Sequence, residues 1–183
     1  MKEKSLIVRE VTAHDIPVMV KYRLDYLTEL QGDMSLSYRK ELSENLNRFI
    51  SSSIGEGNMY AVIAEYSTSG LSDQEENLQI EGNTGQKHDE NAPIPVAFGA
   101  MLYKRVPGDA KSAFYVEADI LNMYTVPSER RKGISSRVLE NLIAHAKEEG
   151  VAKLALHTSK DGVNLYKKYG FSEAAYPYLE RII

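Results

Sequence analysis

A chain of 183 residues, 43% of them hydrophobic and 26% charged, is long enough to bury a core and has the balance of an ordinary soluble globular protein. The complete lack of cysteine excludes disulfides, thiolate nucleophiles and cysteine-ligated metals. A net charge of −4 argues against sequence-independent nucleic-acid binding, and no apolar run approaches the roughly 18 residues of a membrane span.

One domain over residues 1–183 is expected. The opening MKEKSLIVREVT carries lysines but no long apolar core or small-residue cleavage site, so no signal peptide is expected and the cytoplasm is the default compartment. SLIVREVT (Ser5 to Thr12) is β-branched and half-alternating, which predicts a first strand. Thr12 or Asp15 can cap the helix that follows, where Ile16, Met19, Val20, Leu24, Leu27 and Leu30 recur every three or four residues. QGDMS interrupts that pattern. A second helix is predicted from about Ser37 to Ser53, with Leu42, Leu46, Phe49 and Ile50 inward, and GEGN ends it. MYAVIAEY (Met59 to Tyr66) reads as a strongly apolar strand.

Residues 67–93 have a different composition. They hold six acids against Lys87, a balance of −5, which leaves the rest of the chain at +1. Apolar residues are too sparse there to pack, so a mobile polar insert is predicted. Its acids would favour cationic substrates only if it folded over a site. PVAFGAMLYKRV and FYVEADILNMYTV (Phe114 to Val126) then read as two strands, a hairpin around PGDAKS, with a bulge in the second. Ile134, Val138, Leu139, Leu142, Ile143 and Ala146 mark an amphipathic helix stopped by Gly150. AKLALHT predicts a short strand, GVNLYKKYG a short helix ending at Gly170, and YLERII a last strand. Strands in runs, alternating with helices only late in the chain, favour a mixed α/β sheet with helices on both faces.

One segment stands out chemically. In NMYTVPSERRKGISSRVLENLI a strand meets Pro127, then Arg130, Arg131, Lys132 and Arg137 crowd around Gly133 against Glu129, a local charge of +3, and a helix begins. A helix start offers unpaired N–H groups and the positive end of its dipole, and glycine lets an anion approach the backbone. This describes either a phosphate cradle or a solvated cationic turn. No G-x-x-x-x-G-K-[ST] and no G-x-G-x-x-G pattern is present.

VPSERRKGISSRVLENLI resembles the acyl-CoA-binding segment of the GNAT acetyltransferases, whose Q/R-x-x-G-x-G/A pattern here runs Arg130-x-x-Gly133-x-Ser135 with serine in the final place. LHTSKDGVNLYKKYGF is similar to the family's L-Y-x-x-x-G-F ending, and the element order agrees outside 67–93. The resemblance implies a mostly antiparallel central sheet flanked by helices and splayed after the fourth strand. It implies acetyl-CoA as co-substrate without a metal, the pantetheine arm along Met123, Tyr124 and Thr125, and the pyrophosphate on Arg130, Arg131, Lys132, Gly133, Ile134, Ser135 and Ser136. Ser159 stands where many members have a cofactor-contacting asparagine.

By the same resemblance, Tyr166 is the acid that protonates the leaving thiolate, with neighbouring Tyr169 as the alternative. Glu117 and Asp119, alternating on one strand, are the candidate bases, beside His157 and an ordered water. Glu29 is a candidate substrate contact, and Tyr22, Tyr26 and Tyr38 lie in the helical region that lines the acceptor site in the family, or pack in the core. The implied activity is acetylation of a primary amine, on a small molecule or a peptide, by direct attack. A non-catalytic acyl-CoA-binding module is the alternative, no nucleic-acid or membrane partner is expected, and a homodimer is left open.

Overall fold

The computed structural model describes residues 5–67, 93–108, 110, 113–174 and 179–182. The polar insert expected at 67–93 lies, but for its two end residues, outside the described residues. Five strands, β1 (Ser5–Glu10), β2 (Met59–Ser67), β3 (Ile94–Pro107), β4 (Phe114–Thr125) and β5 (Lys153–Leu156), form one sheet in chain order. The first four pair antiparallel, and β4 pairs β5 in parallel. Helices α1 (Ile16–Gln31) and α2 (Leu36–Gly55) cover one face; α3 (Ile134–Glu148) covers the other, and α4 (Val163–Lys168) packs beside it.

Local chemistry accounts for the boundaries. Asp15 accepts from the Thr12 N–H at 2.7 Å in a short turn before α1, Pro17 sits in the first turn, and Gly32 closes the helix at φ 91°. The Ser35 hydroxyl accepts the Tyr38 N–H to start α2. Helix α3 buries Ile134, Val138, Leu139, Leu142 and Ala146 on one stripe, and Gly150 ends it with φ 66°. Its approach to the sheet is close because β3 has Gly99 beneath it: a Cβ there would meet Val138 Cγ1 at 2.6 Å and Met123 Sδ at 2.8 Å. A side chain at 99 would push the helix away.

Two arrangements position the site. The β3–β4 register shifts where Ala100 faces Asn122 and Met101 faces Ile120, which leaves Leu121 as the extra residue of a bulge. The bulge keeps Glu117, Asp119, Asn122 and Tyr124 on the α1–α2 face, opposite Ala118, Ile120 and Met123. The β4–β5 pairing spans only Glu117–Ile120, so β4 from Leu121 to Thr125 has no β5 neighbour. This is the splay after the fourth strand.

The predicted last strand at YLERII is corrected: residues 179–182 belong to no strand, and Leu179 and Ile182 are 88% and 94% exposed. Their three-residue spacing cannot place both on one face of a period-two strand. No helix among the described residues is long and apolar enough to cross a membrane.

Candidate active site

The loop after β4 is built to present backbone donors. Val126 N–H continues the sheet to the Val96 carbonyl, and one short turn over Pro127–Glu129 follows. Arg131 (φ 65°) and Gly133 (φ 79°) then both adopt left-handed backbone, which turns successive N–H groups outward. From Arg131 to Ser136 no backbone N–H has an acceptor among the described residues. No side chain caps α3, no acid lies in its first turn, and the space where a Gly133 Cβ would stand is open to 4 Å. An anion is the natural partner for such a concavity.

Side chains hold this loop rather than fill it. Arg130 donates from Nε to the Thr125 carbonyl at 2.9 Å and from one terminal nitrogen to both Glu29 oxygens at 2.9 and 2.6 Å. It also lies over the Tyr124 ring, whose hydroxyl donates to Glu29 at 2.9 Å. Burial, reinforced by Glu29, pushes the Tyr124 phenol up to about 12. Lys132 pairs with Glu129, which also accepts from Tyr66. Ser135 and the buried Thr125 share a hydroxyl–hydroxyl bond of 2.9 Å. Serine at 135 thus ties the helix start to the strand end, a contact that glycine or alanine cannot make.

The exposed backbone edge of β4 adjoins this loop. Met123 packs its side chain toward Gly99 and α3, while Tyr124 turns to the other face and rests against Tyr22. Between them and the bulge, Asn122 Oδ1 is buried without a hydrogen-bond partner among the described residues. An unpaired buried acceptor costs about 1–3 kcal/mol, so a donor from a bound molecule would relieve it.

Tyr166 and Tyr169 are separated by the structure. The Tyr169 hydroxyl donates to Glu140 on α3. Among the described residues the Tyr166 hydroxyl has no acceptor, and its ring sits edge-on to Phe171 and beside Gly162. Burial raises its phenol above the ordinary value, and the Tyr26 phenol on α1 adds to the shift. Ser159 accepts the Gly162 N–H at 3.3 Å and so shapes the turn into α4.

Glu117 is clamped by Lys153 at 2.7 Å and Lys104 at 3.6 Å, whereas Asp119 meets only Lys104, at 2.9 Å, and its side chain is 38% exposed against 16%. His157 follows β5 on the surface. Tyr22 is a core residue that donates to the Pro95 carbonyl, Tyr26 is half-buried against the same core, and Tyr38 is exposed. Sequence reasoning missed Asn122, an asparagine amid an apolar strand, and Arg23, a cation between the apolar positions of α1.

A model of the acetyltransferase (GNAT) family matches residues 72–171, more than half of the chain. No curated protein sequence matches. Solved structures share the fold: a predicted acetyltransferase with acetyl-CoA from Clostridium acetobutylicum has TM-score 0.71 and 24% identity over 97% of this chain and 96% of that one. A GCN5-related N-acetyltransferase from Ralstonia eutropha has TM-score 0.68 and 16% identity over 97% and 99%. Glucosamine-6-phosphate N-acetyltransferase from Arabidopsis thaliana has TM-score 0.61 and 16% identity over 98% and 99%. With its split sheet, its open N–H loop and the family match, the chain belongs to the GNAT acetyltransferase family.

Proposed function

We propose that this protein transfers the acetyl group of acetyl-CoA to a primary amine by direct attack, without an acyl-enzyme. The observation that carries the reading is the run of N–H groups from Arg131 to Ser136 with no acceptor among the described residues, beside the β4 edge that β5 leaves unpaired. The loop takes the pyrophosphate on those N–H groups, with Arg131 and Lys132 supplying positive field. Backbone from Met123 to Thr125 hydrogen-bonds the pantetheine arm, as a missing sheet neighbour would.

In the reaction a nitrogen–carbon bond forms and a carbon–sulfur bond breaks. An alkyl amine is only about one part in 10³ to 10⁴ neutral at pH 7, so a proton must leave it first. Asp119 is the better placed carboxylate, directly or through water, because Glu117 is held between two lysines. The N–H groups near Met123 and Tyr124 hold the charge that develops on the carbonyl oxygen. Tyr166 donates its proton to the departing thiolate; its raised pKa keeps that proton in place through neutral pH.

A thermal-shift titration with acetyl-CoA, followed by thiol release over a panel of amines, tests the reading. Stabilisation with turnover is the expected result. No stabilisation would overturn the assignment, and stabilisation without turnover on any amine would indicate a binding module instead.

A further inference from the structure

The charged side chains of α1 are paired, with one exception. Lys21 holds Asp25, Asp25 meets Arg39, and Glu29 meets Arg130. Arg23 has no carboxylate, carbonyl or hydroxyl partner among the described residues, although it is half-buried between Met19 and Leu27 on the helix. Its guanidinium lies over the Tyr26 ring, 5.4 Å from the centroid. Burial works against its charge.

Another arginine in the same chain gives the contrast. Arg9 donates to Asp15, Glu65 and the Glu10 carbonyl, and all five of its N–H groups find acceptors. A guanidinium does not deprotonate in proteins, so removing it from water without acceptors is unfavourable. Where the fold has a carboxylate to offer it uses one; at Arg23 it leaves the fork open. The ring beneath Arg23 is Tyr26, one helical turn from both Tyr22 and Glu29, each of which touches Tyr124 on the part of β4 that β5 leaves unpaired. Arg23 therefore stands over an aromatic ring on the helix face that borders the splay. The neighbouring acids are spent: Asp25 on two cations, Glu29 on Arg130 and Tyr124. Both carboxylates of α1 are thus engaged by groups of the protein itself.

We propose that Arg23 is an anion subsite of the acceptor pocket, so that the preferred acceptor is an amine that also carries an oxyanion, a carboxylate or a phosphate, held over the Tyr26 ring. The planar fork of arginine suits either group, and the aromatic face beneath keeps it oriented. This inference rests on the amine-acetylation reading of the site.

The test uses matched acceptors with the full-length protein: β-alanine against propylamine for carboxylate, 2-aminoethyl phosphate against ethanolamine for phosphate, and 1,3-diaminopropane as the cationic comparison. Wild type should favour at least one anionic member of its pair in kcat/KM. Arg23→Gln should lower that preference by about 10- to 100-fold through KM, as loss of a charge-assisted contact predicts. Arg23→Lys, which keeps the charge and loses the fork, should fall between. It also decides the matter if the glutamine variant does not fold. A binding readout stands beside turnover: the preferred anionic amine should raise the melting temperature of the CoA-bound wild type and not of the variants. The two pairs distinguish carboxylate from phosphate. Equal preference within both pairs, preference for the diamine, or an unchanged preference in both variants overturns the subsite while leaving the acetyltransferase reading intact. Failure of acetyl-CoA itself to stabilise the protein would instead remove that reading.

Discussion

Arg130, in the loop between β4 and α3, is joined to Glu29 near the end of α1 by a single nitrogen that contacts both carboxylate oxygens. The pair crosses from α1 to the loop proposed to hold the pyrophosphate. Both partners are well exposed, so the pair adds little to global stability, of the order of 1 kcal/mol or less. Its effect is local, since Arg130 also fixes the Thr125 carbonyl. Glu29→Gln is therefore expected to leave the melting temperature within a few degrees while raising the KM for acetyl-CoA several-fold. Steady-state kinetics and a thermal melt on the same sample check both halves.

Gly133 gives a cleaner probe of the loop. Nothing lies within 4 Å of a Cβ built there, so Gly133→Ala meets no clash and its cost is the left-handed backbone alone, about 1 kcal/mol. The added methyl would occupy the space where an anion approaches the N–H groups. Acetyl-CoA binding measured by calorimetry should weaken about 10-fold or more. Undiminished affinity would place the pyrophosphate elsewhere.

Tyr166 and Tyr169 differ by three positions and the structure sends them to different partners. Tyr166→Phe should lower kcat by about 100-fold with CoA affinity retained, whereas Tyr169→Phe removes only the bond to Glu140 and should cost a little stability. The pH dependence has a definite sign. Burial raises the Tyr166 pKa above the ordinary 10.0, so the proton-donating form persists through neutral pH and the alkaline fall in kcat should begin only above about 10. A fall centred well below that value in wild type, or its persistence in the phenylalanine variant, would exclude Tyr166 as the acid.

The two carboxylates on β4 are likewise separable. Asp119→Asn should reduce kcat more than Glu117→Gln, because Asp119 has the single lysine contact and the more open side chain. Single-turnover rates across pH would show the order. Equal, small effects would assign proton removal to water alone.

Asp15 offers a stability test remote from the site. Its hydrogen bonds from Arg9 hold its carboxyl down, from 3.8 to about 2. A lowered folded pKa stabilises above the unfolded value, and that contribution is lost as pH falls from about 4 through 2. It amounts to roughly 2 kcal/mol, so Asp15→Asn should destabilise the protein by at least that much near neutral pH and flatten the acid limb of its stability curve. Urea titrations between pH 2 and 7 would measure both.

Much of this site is legible in local sequence because its parts are local. A strand, a proline, a cationic glycine turn and an amphipathic helix follow one another between Asn122 and Ala146, and each has a short-range signature in spacing or backbone freedom. The α3 stripe and the bulge in β4 were visible for the same reason. The last strand was misread from an apolar-rich ending, YLERII, whose described apolar residues Leu179 and Ile182 are exposed.

The sequence by itself determined that a left-handed glycine would open α3 beneath concentrated positive charge, because backbone freedom and helix ends depend on near neighbours in the chain. Only the tertiary structure decided where β5 stops pairing with β4, that Ser135 bonds Thr125, that Tyr169 is tied to α3 while Tyr166 is not, and that among the described residues Arg23 of α1 meets a ring rather than an acid. Those outcomes join residues far apart in the chain, such as Glu29 and Arg130, and no period or motif encodes a distance between elements. Packing sets that distance, and with it which polar groups are paired and which are left for a ligand.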